Sequence, residues 1–101
     1  MKTVTIQIGN SDDKLSQNEW AHYCAAVKEA IEYYAHEIHF HGHSDGDAPW
    51  QNACWVACWT SADVKMMDRL RAKLKEICPR FRQDSIAWTE GETQFLKPEP
   101  N

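Results

Sequence analysis

The sequence predicts an α+β domain of the ferredoxin-like split βαβ kind, an antiparallel sheet built in the order β-α-β-β-α-β with two helices on one face. Three observations carry this: an opening run with period two, two amphipathic helical stripes that each follow a capping residue, and a strongly apolar run between them. A chain of 101 residues suits one domain, placed at residues 1–96. Residues 97–101, Lys-Pro-Glu-Pro-Asn, are expected to be a flexible tail.

Val4, Ile6 and Ile8 alternate with Thr3, Thr5 and Gln7, which is a strand with one apolar face. Gly9 to Asp13 follow as a turn-rich loop. Ser16 and Glu19 have the spacing of a capping box, so a helix is expected from there to Ala35 or His36. Its stripe is Trp20, Cys24, Val27, Ile31 and Tyr34. Glu37 to His43 read as a second strand, with Ile38 and Phe40 on one face and His39, His41 and His43 on the other. After a loop through Pro49, Asn52 to Thr60 form a third strand that is apolar on both sides, as a central strand should be. A second helix capped by Thr60 or Ser61 runs to about Cys78, where Pro79 ends it, with the stripe Val64, Met67, Leu70, Leu74 and Ile77. Ser85 to Thr89 are a fourth strand, and Glu90-Gly91-Glu92 can turn it into a hairpin with Thr93 to Leu96.

The third strand raises the question of what covers the sheet. With the compact Cys54, Val56 and Cys58 packed under the helices, Trp55 and Trp59 project from the opposite, open face. Exposed indoles in pairs mark interaction surfaces, so a second copy of the chain or a stacked planar ligand is expected there. The reverse parity, with both indoles in the core, is the alternative.

Composition narrows the function. Charged residues make up 26% and hydrophobic ones 43%, a globular balance. The net charge of -4 argues against general nucleic-acid binding, although Lys65, Arg69, Arg71, Lys73, Lys75, Arg80 and Arg82 cluster late enough to bind one small anion. No run of residues is apolar enough for a membrane span, and no signal peptide is read at the start. The four cysteines sit among apolar residues, which suits reduced thiols in a cytoplasm. Cys54 and Cys58, about 13 Å apart along a strand, cannot share a disulfide or a zinc ion.

The run Glu37-Ile38-His39-Phe40-His41-Gly42-His43 places two imidazoles on one strand face, roughly 6 to 7 Å apart. With Asp45 or Asp47 they can make a hydrolytic metal site. The preferred reading is a solvated edge strand, so neither a metal nor any other cofactor is expected, and no catalytic residue is assigned. Two other segments combine aromatic and hydrogen-bonding groups. Trp50, Gln51, Asn52 and Trp55 lie in one, and Arg80, Arg82, Gln83, Asp84 and Trp88 in the other. The split βαβ order brings them to one edge of the sheet. Together they offer stacking rings, base-edge donors and acceptors, and guanidinium groups for a phosphate.

Pro49-Trp50-Gln51-Asn52-Ala53-Cys54-Trp55 and Arg82-Gln83-Asp84-Ser85-Ile86-Ala87-Trp88 resemble the two signature stretches of a family of small, uncharacterised proteins carried by bacteriophages and mobile elements. The likeness extends to Ile8 through Leu15 and to Phe95-Leu96. It implies a phage or prophage source, a host-cytoplasmic location and a counter-defence role. The function expected is non-catalytic capture of a small nucleotide-like ligand, such as an immune second messenger, by a homo-oligomer. A metal-dependent hydrolase using His39, His41 and Asp45, and a protein that binds and inhibits a host enzyme, are the alternatives.

Overall fold

The computed structural model describes residues 1–10, 12, 14–45 and 51–100. Its elements are β1 (Lys2–Gly9), α1 (Gln17–Tyr34), β2 (Glu37–His43), β3 (Asn52–Trp59), a 3₁₀ turn (Ser61–Asp63), α2 (Val64–Arg80) and β4 (Ala87–Glu92). The strands form one antiparallel sheet in the order β2-β3-β1-β4. This is the ferredoxin-like arrangement: the two central strands are far apart in sequence, and each βαβ half contributes one central and one edge strand.

Local chemistry sets the element ends. The Ser16 side chain accepts from the Glu19 backbone N–H and the Glu19 carboxylate accepts from the Ser16 N–H, closing a complete capping box at α1. A cap of this kind contributes about 1 kcal/mol. Pro79 lies inside the last turn of α2 rather than beyond it. It forfeits one N–H, and the helix closes two residues later as the Phe81 N–H turns back to the Cys78 and Pro79 carbonyls. Arg82 then takes a left-handed backbone, φ 56°, and the chain swings into β4. The hairpin expected after Thr89 does not form. Glu90, Gly91 and Glu92 continue β4 against β1, and residues 93–96 carry no strand.

The parity expected for β3 is reversed. Val4, Ile6 and Ile8 stand opposite Ala57, Trp55 and Ala53, and these residues share a core with Tyr23, Val27 and Ile31 of α1 and Met67, Leu70, Leu74 and Ile77 of α2. Trp55 is 1% exposed and Trp59 fully buried, so neither indole projects from the open face. The Trp59 Nε1 donates to the Tyr34 carbonyl at 2.8 Å, anchoring the end of α1 to the sheet. The two indoles fill the volume that Cys54, Val56 and Cys58 are too small to fill beneath two helices. The α1 stripe is correspondingly rotated toward Tyr23 and Ala30, with Trp20, Cys24 and Tyr34 partly buried at its flanks.

A bulge at His39 changes β2 as well. Ile38 pairs with Ala57, but Phe40 pairs with Val56, so one residue is inserted and every later side chain changes face. Phe40 lands on the open face. His41 and His43 land on the helix side, where the His41 ring stacks on Trp55 at 4.7 Å and 4°. Gly42 makes room for this: a Cβ there would lie 2.6 Å from the Phe40 ring.

His41 gives the fold a pH dependence. Desolvation, then the nearby Lys28 and His43 charges, hold its imidazole below the ordinary value of 6.5. The unfolded chain therefore binds this proton more readily, and the contribution present above pH 6.5 is lost as the pH falls through the lowered value. Thermal melting at pH 7 and pH 5 is expected to show the wild type losing more stability on acidification than His41→Gln. Equal losses would show that the stacked imidazole titrates freely.

Candidate functional site

A hollow lies between α2 and edge strand β4. It has a volume of about 430 Å³, with Leu74, Cys78, Pro79 and Ile86 as its apolar lining. Trp88 projects toward the helices because it stands opposite core residue Ile6. Its Nε1 donates to Glu90 at 2.8 Å, which fixes the ring. The Arg71 guanidinium lies over the indole, 5.3 Å from its centre, a cation–π pair. Lys75, one helical turn further on, lines the same hollow. Gln83, Asp84 and Ser85 close one end.

Those three residues also form a wall of a second, more polar hollow of about 380 Å³. Its other walls include Gln7, Gly9, Asp12 and Asn52. The two polar-aromatic segments therefore do meet, through Asn52 on one side and Gln83 and Asp84 on the other. Lys14 reaches Asp84 at 3.4 Å and Asp12 at 3.6 Å, so one cation faces two carboxylates at this corner.

Several of the expected ligand residues have other duties. Trp55 is core and cannot stack on a ligand. Gln51 serves the loop after β1: its Oε1 accepts from the buried Asn10 and its side chain exchanges hydrogen bonds with Gln17. Asn10 in turn holds both the N–H and the carbonyl of Leu15 at 3.0 Å. Arg82 turns away from the groove and donates to Glu19 at 2.8 Å and to the Lys14 carbonyl at 2.9 Å. The Ser16 N–H first, and then Arg82, hold the Glu19 carboxyl below its ordinary value. Arg80 lies 5.9 Å from the Phe81 ring and beside Tyr33 and Lys73, on another face. Trp50 lies outside the described residues, as does Asp47.

Arg71 and Lys75 are the cations that line this hollow; both belong to the late basic cluster but were not among the expected ligand residues. Their signal was present in the late basic cluster: spaced i and i+4, they share a helix face with Leu74 and Cys78. The histidine pair of the alternative hydrolase reading is not assembled. His39 and His41 fall on opposite faces of the sheet because the bulge lies between them.

The fold is a ferredoxin-like α+β sheet with two helices on one face, and solved structures share it. An X-ray structure of protein Atu4242 from Agrobacterium tumefaciens matches with a TM-score of 0.58 and 15% identity, over 97% of this chain and 98% of that one. A dimeric ferredoxin-like protein of unknown function from Thermobifida fusca matches at 0.57 and 14%, over 92% of each chain. A formyltetrahydrofolate deformylase from Burkholderia mallei matches at 0.54 and 16%, and this chain spans 27% of that protein's length. No family model and no curated protein matches the chain. No helix among the described residues is long and apolar enough to cross a membrane.

Proposed function

We propose that the protein is a non-catalytic binding protein that captures a small, planar, anionic ligand of the nucleotide class in the α2–β4 groove. The observation that carries this is the pairing of Arg71 with the Trp88 ring above an apolar floor, with Lys75 on the same wall. A guanidinium lying over an indole suits a ligand whose anionic end pairs with the guanidinium and whose planar end packs against the ring. Gln83 and Ser85 supply hydrogen-bonding groups at the groove's end. A counter-defence role, sequestering a host signalling nucleotide, is the biological form of this reading that the phage-family resemblance suggests.

A second copy completes the molecule in this reading. The open face presents Thr3, Thr5 and Gln7 of β1, Cys54 and Val56 of β3, and Ala87 and Thr89 of β4, with Phe40 standing out at 55% exposure. None of these residues is charged, and the charged group that shares the face is Glu37, at the far end of β2. A mostly uncharged face with a protruding phenyl ring suits burial against itself. The similar Thermobifida fusca protein is described as dimeric, which supports a homodimer here.

A thermal-shift panel of mono-, di- and cyclic nucleotides tests the ligand reading. At 100 times its dissociation constant a ligand stabilises the fold by about 2.7 kcal/mol, on the order of 10 °C for a domain of this size. Trp88→Ala and Arg71→Ala are expected to remove most of the shift, whereas Arg80→Ala should leave it intact. The ligand should be recovered unchanged on heating. A cleaved product would make the protein an enzyme, and a flat panel would remove the nucleotide reading.

A further inference from the structure

On the opposite side of the sheet from α1 and α2, three side chains of metal-binding type converge. Edge strand β2 contributes Glu37 and His39, and β3 contributes Cys58, which pairs with Glu37 in the strand register. The His39 Nε2 lies 3.4 Å from the Cys58 Sγ and 3.6 Å from the Glu37 Oε2. All three ligand atoms lie within 4.8 Å of one another. Atoms bound to one tetrahedral zinc stand ~3.3–3.6 Å apart, given bonds of about 2.0–2.1 Å to nitrogen and oxygen and about 2.3 Å to sulfur. The two His39 edges already have that length. The third can close by rotation of the exposed Glu37 carboxylate about its own side-chain bonds.

We propose that Glu37, His39 and Cys58 form a site for one divalent transition-metal ion of the zinc class. A thiolate, an imidazole and a carboxylate together suit borderline-soft ions, and the sulfur disfavours magnesium and calcium. Three protein ligands leave a fourth position for water or a small anion. The main competing use of these groups is a Cys–His–Glu proton relay. In a relay the carboxylate orients the imidazole through the nitrogen that does not face the nucleophile. Here sulfur and carboxylate both face Nε2, which is convergence on a point rather than a chain. The ion would clamp the edge strand to β3 at the bulge, where the regular ladder is interrupted.

The test is titration of reduced, metal-stripped, untagged full-length protein with cobalt(II), followed by competition with zinc. One cobalt per chain is expected, with a thiolate-to-cobalt charge-transfer absorption that zinc abolishes. His39→Gln should weaken binding at least about 10-fold, since even changes outside the ligand shell cost 10- to 100-fold. Cys58→Ser should remove the sulfur band. Cys58 is fully buried, so if that variant does not fold, the exposed-site variants His39→Gln and Glu37→Gln carry the test. A His41→Ala, His43→Ala double variant should bind as the wild type does. Cobalt binding without a sulfur band, binding unchanged in His39→Gln, or binding lost in the His41/His43 variant would each overturn the proposal, as would no binding.

Discussion

Replacing Trp55 with alanine is expected to cost about 3–5 kcal/mol, the usual range for truncating a large buried aromatic. Trp55 lies among Ile6 and the helix residues that form the core, and its ring carries the stacked His41. A domain of this size holds roughly 5–15 kcal/mol in total, so the variant should be largely unfolded at moderate temperature. Trp88→Ala should cost less, about 1–2 kcal/mol, because Trp88 is only partly buried at the groove wall. Urea unfolding followed by far-ultraviolet circular dichroism compares the two. Equal losses would place Trp88 in the core and remove the stacking wall from the binding reading.

Phe40→Asp is expected to convert the protein from a species of at least twice the 11.7 kDa chain mass to a monomer. Burying one phenyl ring contributes about 2 kcal/mol. A two-fold interface counts that ring once per copy, so the loss approaches ~1000-fold in the dissociation constant. The aspartate adds the cost of burying a charge that faces its own image. Light scattering at micromolar concentration reads the change directly. A wild type that is already monomeric, or a variant that stays dimeric, would show that the open face is not the interface. Phe40 is exposed, so the fold itself should survive the change.

The sequence carried the order of elements and the strand and helix types because each rests on local patterning. The capping box at Ser16 and the alternation of β1 appear in the structure as read. Two features were not legible, for definite physical reasons. The third strand is apolar on both sides, so alternation cannot say which side meets the helices; the packing volume of Trp55 and Trp59 decides it. In β2 a single inserted residue exchanges the faces of Phe40, His41 and His43, and no residue in the run announces a bulge. That one insertion dissolves the His39–His41 pairing and leaves His39 with a partner from another strand. At the groove, Trp88, Gln83 and Asp84 were foreseeable as a cluster, whereas Arg82 was drawn away by Glu19, a neighbour 63 positions distant.

The pairing of β1 has a consequence for how the chain reaches its native state. The first strand of the sheet in chain order takes its place between residues 52–59 and 87–92. Helix α1 can form beforehand, since its cap lies within its own first turn. The pairing of β1 cannot, because both its partner strands lie far along the chain. The strand that completes β1 is also the one that delivers Trp88. In the proposed binding reading the groove is complete only with β4 in place: without it the chain has the cations of α2 but no ring to set beside them. A ligand of that groove would therefore hold β4 against its departure and leave the formation of α1 and α2 unchanged.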